Sequence, residues 1–357
     1  MGFSRVRFNN FRNIEPREMK WSPGLNLLTG SNGSGKTNVL EGINILSGWG
    51  PLERGTKTAS LPTWDSGSVE VQLTGQLDDE EMDIIKVKLA GRSTMQLNDR
   101  AINATNLRWR IPVLTFQPND MAILEDAASY RRRLLDMILA LIVPPYALRL
   151  HDYRRGIRQK SMMLRKNMPT MAIDRVLLPL AVWIWKMRAD AVVLLSECMG
   201  PLDDLLPASV ELSLQRGGAG ILPNAQEDFI EALAKNRIKE SQMRVPVVGP
   251  HRDDLVISAG ERLAANAFSR GFRRRTAIAL MLAASDAVKR KLGKAPVLLL
   301  DEVTAELDAK GRELLFDALQ RREAQVFAAT AEPSIEGFPG AVYQVSKGKV
   351  TQTNENQ

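Results

Sequence analysis

The run Gly30-Ser31-Asn32-Gly33-Ser34-Gly35-Lys36-Thr37 fits the pattern G-x-x-x-x-G-K-S/T in full. Its glycines let successive backbone N–H groups turn inward around a phosphate, and a following helix adds the positive end of its dipole. Lys36 is placed to reach β and γ oxygens, and the Thr37 hydroxyl to ligate Mg2+. Ser31, Asn32 and Ser34 supply further donors, while Gly30, Gly33 and Gly35 supply clearance. A second constellation lies 264 positions downstream of Thr37: Val297-Leu298-Leu299-Leu300 runs into Asp301-Glu302. A buried strand ending in two acids suits a carboxylate that holds Mg2+, here Asp301, and a second that polarises an attacking water, here Glu302. Read alone, the loop is also a glycine-rich turn with an exposed lysine, and the acids the polar end of a core strand. Each raises the weight of the functional reading of the other.

These residues need elements to hold them. Leu25 to Thr29 reads as an apolar strand before the loop, and Val39, Leu40, Ile43 and Leu46 mark one face of a helix after it. Residues 3 to 8 form a further strand, and 68 to 97 alternate apolar and polar residues as hairpins do. From Tyr130 to about Lys239 the period becomes helical, and prolines at 144, 145, 169, 179, 201, 207 and 223 cut that region into helices of moderate length. After Val245 the pattern returns to strand, loop, helix and strand. The expected organisation is an α/β head formed by 1–129 and 245–357, with a compact helical lobe at 130–244 inserted between.

With 357 residues, 44% hydrophobic and 25% charged, the chain has the composition of a folded globular protein of more than one packing unit. The longest apolar run near its middle stops at Pro144, far short of the roughly 20 residues that cross a bilayer. No secretory leader is evident at the N-terminus, so the expectation is a cytoplasmic protein without a membrane segment. Cys198 is the only cysteine and His151 and His251 the only histidines, which excludes disulfides and thiolate-rich or histidine-rich metal centres. Cys198 reads as a buried thiol, Trp183, Trp185 and the methionines as core, and His251 as a structural group in a turn.

Lys plus Arg number 48 against 41 Asp plus Glu, a net charge of +7. Between Arg131 and Lys166 ten cations face only Asp136 and Asp152, a local +8 that exceeds the whole-chain surplus. Solvated helix faces explain many such runs. Together with a nucleotide site, this one and Arg273-Arg274-Arg275 point to a polyanion, with sequence-blind and salt-sensitive binding.

Ser269-Arg270-Gly271 precedes a helix rich in alanine and leucine, and by itself reads first as an ordinary N-cap. The order of phosphate loop, Gln117, helical lobe, Ser269-Arg270-Gly271, LLLDE and Glu306-Leu307-Asp308 resembles the ABC-type ATPase head. The opening Phe8-Asn9-Asn10-Phe11-Arg12-Asn13-Ile14-Glu15, Thr37-Asn38-Val39-Leu40-Glu41-Gly42-Ile43, Tyr130-Arg131-Arg132-Arg133-Leu134-Leu135-Asp136 and Gly249-Pro250-His251-Arg252-Asp253-Asp254-Leu255 are similar to the RecF family of bacterial recombination and gap-repair proteins.

That resemblance, running from about residue 3 to 350, implies an ATP-dependent homodimer in which each ATP lies between one subunit's phosphate loop and the other's signature residues, here Ser269 and Gly271. It implies a Mg2+-sensing role for Gln117 and a place at the dimer interface for Asp308. The implied activity is an ATP-gated DNA clamp acting in replication and repair, with a RecR-like mediator and a RecA-type recombinase as partners. Arg270 and Phe272 depart from the usual signature, Gln117-Pro118-Asn119-Asp120 departs from the family's run there, and Thr330-Ala331 lacks a switch histidine, so a weak ATPase is expected. The alternatives are the ATPase subunit of a transporter and a non-hydrolysing, SMC-like scaffold.

Overall fold

The computed structural model describes residues 2–353 apart from Arg54, Asp65, Asp79, Glu80, Arg92, Asp126, Pro207, Ile221, 303–306, Asp308 and 333–337. The chain divides into two compact units, residues 1–121 with 288–357 and residues 122–287. The second unit thus takes in 245–287, which the sequence pattern grouped with the closing part of the head. The reason is strand pairing: Asp254–Ala259 lies antiparallel to Glu211–Gln215, a strand inside the helical region.

In the first unit, six strands form a sheet in the order Lys349–Gln352, Ala341–Ser346, Leu25–Thr29, Val326–Thr330, Val297–Asp301 and Val113–Phe116. All neighbours are parallel except the first pair. Every residue of Leu25–Thr29, Val297–Asp301 and Val326–Thr330 is buried, as expected of parallel strands covered on both faces. A second, antiparallel sheet runs Glu18–Lys20, Phe3–Asn9, Val71–Leu77, Ile84–Leu89, Thr94–Leu97 and Arg100–Ala101. Its strands alternate, with Val71, Leu73, Leu77, Ile85, Val87 and Leu89 turned into the core.

Helix Lys36–Leu46 packs against strands of both sheets, so it is buried from Val39 through Leu46 instead of along one stripe. Burying Val39, Leu40, Ile43 and Leu46 stabilises the unit by about 1.5–3 kcal/mol each. Gly42 is where the helix meets the first strand: a β-carbon there would sit 2.4 Å from the Phe8 ring. The loop that begins this helix is therefore anchored by a helix with no freedom to shift.

The second unit contains helices Ala128–Ile142, Tyr146–Arg165, Met171–Met199 and Ala225–Met243, the greater part of Arg270–Leu292, and a three-stranded sheet ordered Arg262–Leu263, Asp254–Ala259, Glu211–Gln215. Pro179 does not end a helix as its position suggested. It lies inside the 29-residue helix Met171–Met199, on an exposed face, while Ile173, Leu177, Ala181 and Ile184 bury the opposite one and outweigh the roughly 3 kcal/mol a mid-helix proline costs. Trp185 is core and Trp183 half-buried, but Met82, Met162, Met168, Met171 and Met243 are exposed, against the expectation that the methionines fill the interior.

Many of the unit's charges are also internal. Arg188, 2% exposed, donates to Asp253 at 2.7 Å, Asp136 at 2.9 Å and Pro250 O at 2.6 Å. Asp253 also accepts from Trp185 Nε1 and Gly217 N, both at 2.8 Å. Tyr146 donates to Asp136 at 2.6 Å. Beside this cluster Tyr153 O–H and His251 Nδ1 lie 2.7 Å apart, with His251 Nε2 3.2 Å from Pro246 O. His251 is thus a packed, hydrogen-bonded group, its pKa pushed down to about 4 by burial, against the pull of Pro246 O.

Candidate functional site

The first unit gathers Lys36, Thr37, Asp301 and Glu302 at the C-terminal ends of neighbouring parallel strands, the edge where open α/β sheets take ligands. Leu25–Thr29 delivers the loop, Val297–Asp301 the acids, and Val326–Thr330 runs between them. Gly30, Gly33 and Gly35 all hold positive φ, at 149°, 76° and 117°. At Gly30 a β-carbon would meet Val345 O at 2.2 Å, so only glycine lets the loop leave the strand this way. Gly35 occupies the N-cap with no side-chain cap, and the first helical turn carries no acid. The first helical bond at this end runs from Val39 N to Gly35 O at 3.0 Å, so the amides of Lys36, Thr37 and Asn38 open the helix without an intrahelical partner.

Lys36, 5% exposed, folds back on its own loop: Nζ donates to Gly30 O at 2.7 Å and Ser31 O at 3.1 Å, and stands 4.0 Å from Glu302. The Thr37 hydroxyl lies 3.1 and 3.0 Å from the two oxygens of Asp301. Burial raises the Asp301 pKa above its ordinary 3.8, with the Thr37 hydrogen bond opposing and the charge of Glu302 adding to the rise. Glu302 has φ 52°, a left-handed backbone that costs a non-glycine residue on the order of 1 kcal/mol. Its N–H bonds Ala329 O at 2.9 Å and its carboxylate accepts from Ala331 N at 3.3 Å. Ser34 Oγ is buried with no hydrogen-bond partner.

Two asparagines outside the motif complete the loop's support. Asn13 Nδ2 donates to Gly33 O at 3.2 Å while its Oδ1 accepts from Asn38 Nδ2 at 2.8 Å. Gly348 N donates to Ser34 O at 2.8 Å. In the sequence Asn13 and Asn38 stand out only through likeness to a family, with no role of their own. The signal available was an amide residue immediately following the loop's Thr37.

Gln117 follows strand Val113–Phe116, which pairs with Val297–Asp301 through Leu300 and Phe116, so Gln117 stands one strand over from Asp301. Its N–H donates to Asp120 at 2.8 Å, closing a tight turn. Ser269 and Gly271 belong to the second unit. Ser269 O accepts from Arg273 N at 2.9 Å, which makes Ser269 the N-cap of Arg270–Leu292, and Ser269, Arg270, Gly271 and Phe272 are all exposed. Glu306 and Asp308 lie outside the described residues.

The donor set fits a phosphate chain with a hard cation. Helix-start amides without an intrahelical partner, an orphaned Ser34 hydroxyl and a lysine whose hydrogen bonds go to its own loop suit an anion, and Thr37 with Asp301 offers the oxygen ligands Mg2+ prefers. Among the described residues no group of three or more His, Cys, Asp or Glu could hold a metal by itself.

The RecF/RecN/SMC N terminal domain model matches residues 3–350, and the chain belongs to that family. It is 28% identical over 375 residues to a DNA replication and repair protein RecF from Heliobacterium modesticaldum, covering 99% of this chain and 100% of that one. It is likewise 28% identical over 363 residues to one from Shewanella pealeana, covering 98% and 99%. Among solved structures, that of the recombination mediator protein RecF with ATPrS superposes with a TM-score of 0.87 at 23% identity, over 99% of this chain and 98% of that one. An Smc head bound to the C-winged helix domain of ScpA gives 0.60 at 17%, over 100% and 98%. The fold is thus that of an ABC-type ATPase head, as the motif order implied.

Proposed function

We propose that the chain binds ATP with Mg2+ at this strand edge, dimerises on it, and clamps DNA during replication and repair. The observation that carries the reading is the convergence of Lys36, Thr37, Asp301 and Glu302 beside the unpartnered Ser34 hydroxyl. The names of its relatives, which are DNA replication and repair proteins and a recombination mediator, support the biological setting. When bound, Mg2+-ATP supplies the phosphoanhydride bond to be broken and a cation for oxygen ligands. Lys36 would exchange its bonds to Gly30 O and Ser31 O for phosphate oxygens, and Thr37 and Asp301 would hold the cation. Glu302 would orient the attacking water and take its proton, and Gln117, one strand away, would respond to the metal.

Ser269 and Gly271 present an exposed helix start that would complete the site of a second copy. At the position of a switch histidine, Thr330-Ala331 gives Glu302 only a backbone N–H, which favours slow turnover. Nucleotide favours the closed dimer only through its higher affinity for that state, and DNA bound in the closed form shares that linkage. A RecR-like mediator and a RecA-type recombinase would act downstream of this clamp.

The test is DNA retention with ATP, with ADP and after Lys36→Arg, alongside sedimentation of Glu302→Gln. The clamp gives ATP-trapped Glu302→Gln dimers held on DNA, and loss of retention with ADP or Lys36→Arg. Equal retention in all cases would refute nucleotide gating.

A further inference from the structure

The ten cations between Arg131 and Lys166 are not one surface. Arg131 pairs with Asp254 at 2.6 Å, Arg132 donates to the backbone of Asp253, and Arg154 pairs with Asp136 at 2.9 Å. Lys160 is 1% exposed and bridges Asp174 at 2.9 Å and Glu240 at 2.6 Å. Arg149 lies over the Trp183 ring at 4.4 Å. These residues tie the unit together. Arg155, Arg158, Arg165 and Lys166 are different: all four are exposed, and none has an acidic partner among the described residues.

They lie along the second half of the first helix of a helical hairpin. Helix Tyr146–Arg165 turns at 166–170 into Met171–Met199. Two contacts fix the register: Gly156, where a β-carbon would lie 2.7 Å from Leu177, and the Lys160–Asp174 pair. From Tyr153 to Val182 the only acid is Asp174, and both its oxygens are engaged, one by Lys160 and the other by Thr170 Oγ1 at 2.9 Å. On helical geometry Arg155, Arg158, Arg165 and Lys166 fall within about 100° of the helix surface and span about 16 Å along it. Duplex DNA presents a charge about every 1.7 Å of axis. A row of like charge with no acid interleaved matches a continuous polyanion better than a protein surface of mixed sign.

We propose that the exposed face of the second half of helix Tyr146–Arg165, through Arg155, Arg158, Arg165 and Lys166, is a docking surface for the phosphate backbone of duplex DNA. The inference rests on the DNA-binding reading above and adds where the duplex is held. The four cations contact phosphates and carry no base readout, so they set affinity and salt dependence and leave sequence preference untouched.

The experiment measures anisotropy of a labelled 30-bp duplex with the full chain and ATP across a salt series. It compares the wild type, a variant with Arg155, Arg158, Arg165 and Lys166 all changed to Gln, and one with the three arginines changed to Lys. Sedimentation with ATP confirms that each variant still forms the wild-type assembly. The glutamine variant should lose affinity more than tenfold, with a log–log salt slope shallower by about 3 to 4, while the lysine variant stays close to wild type. Wild-type affinity and slope in the glutamine variant would overturn the assignment while leaving DNA binding intact. Unchanged DNA binding with loss of binding to labelled polyglutamate would assign the surface to an acidic protein and equally overturn it. Absence of duplex binding by the wild type would remove both this inference and the reading it rests on.

Discussion

Two polar clusters, one in each unit, are built on opposite principles. Around Arg188 the charges are buried and complete: Asp253 accepts from Arg188, Trp185 and Gly217, and Asp136 from Arg188, Tyr146 and Arg154. Around Lys36 the accounts stay open, with an orphaned Ser34 hydroxyl, a carboxyl of raised pKa and a glutamate held in a left-handed conformation. A network that is fully satisfied without a ligand has nothing left to offer one and serves to specify the fold. A network left short of partners keeps its free energy for binding.

The largest effect should come from opening the closed cluster. Arg188→Met leaves Asp253, which is fully buried, without a guanidinium and Asp136 with only that of Arg154, and removal of one partner from a buried pair costs about 3–5 kcal/mol. Urea unfolding should show a midpoint lowered accordingly; a loss below 1 kcal/mol would mean that the cluster is not structural. Its neighbour His251 gives the next effect. Folded, the ring resists protonation down to about pH 4, whereas unfolded it takes a proton near 6.5. Stability contributed by the neutral ring is present above 6.5 and is lost as pH falls through the window to about 4, by on the order of 3 kcal/mol. His251→Gln should flatten that part of the stability profile, and an unchanged pH dependence would place the acid sensitivity elsewhere.

The contrast also explains what could be read before the fold was known. A phosphate loop is a local device, written in eight consecutive residues, and the strand ending in Asp301-Glu302 announces itself by its apolar run. Asn13, in contrast, reaches Gly33 and Asn38 across 20 and 25 positions, which no local pattern encodes. The closed cluster joins positions 136, 188 and 253 and was invisible for the same reason, so cations such as Arg131 and Lys160 looked like surface when they are spent inside. Pro179 misled in the other direction, since packing on the far side of its helix overrides a local break. The strand Asp254–Ala259, which local pattern groups with the closing segments, pairs instead with Glu211–Gln215 in the middle of the chain, a partnership that no local pattern encodes.

The smallest effect is also the one whose sign separates the two clusters most cleanly. Asp301 has a folded pKa above 3.8, because burial opposes its charge more than Thr37 and Lys36 support it. The folded state therefore binds the extra proton, and stability falls as pH rises from 3.8 through the raised value. At neutral pH the ionised Asp301 is a net cost to the nucleotide-free protein, borne without any compensating metal. Asp301→Asn keeps the shape and an acceptor for Thr37 while removing the charge, so thermal unfolding without nucleotide should occur at a higher temperature than in the wild type. The same substitution should abolish the extra stabilisation that Mg2+ gives in the presence of ATP. A lower melting temperature without nucleotide would show that Asp301, like Asp253, belongs to a cluster already complete in itself.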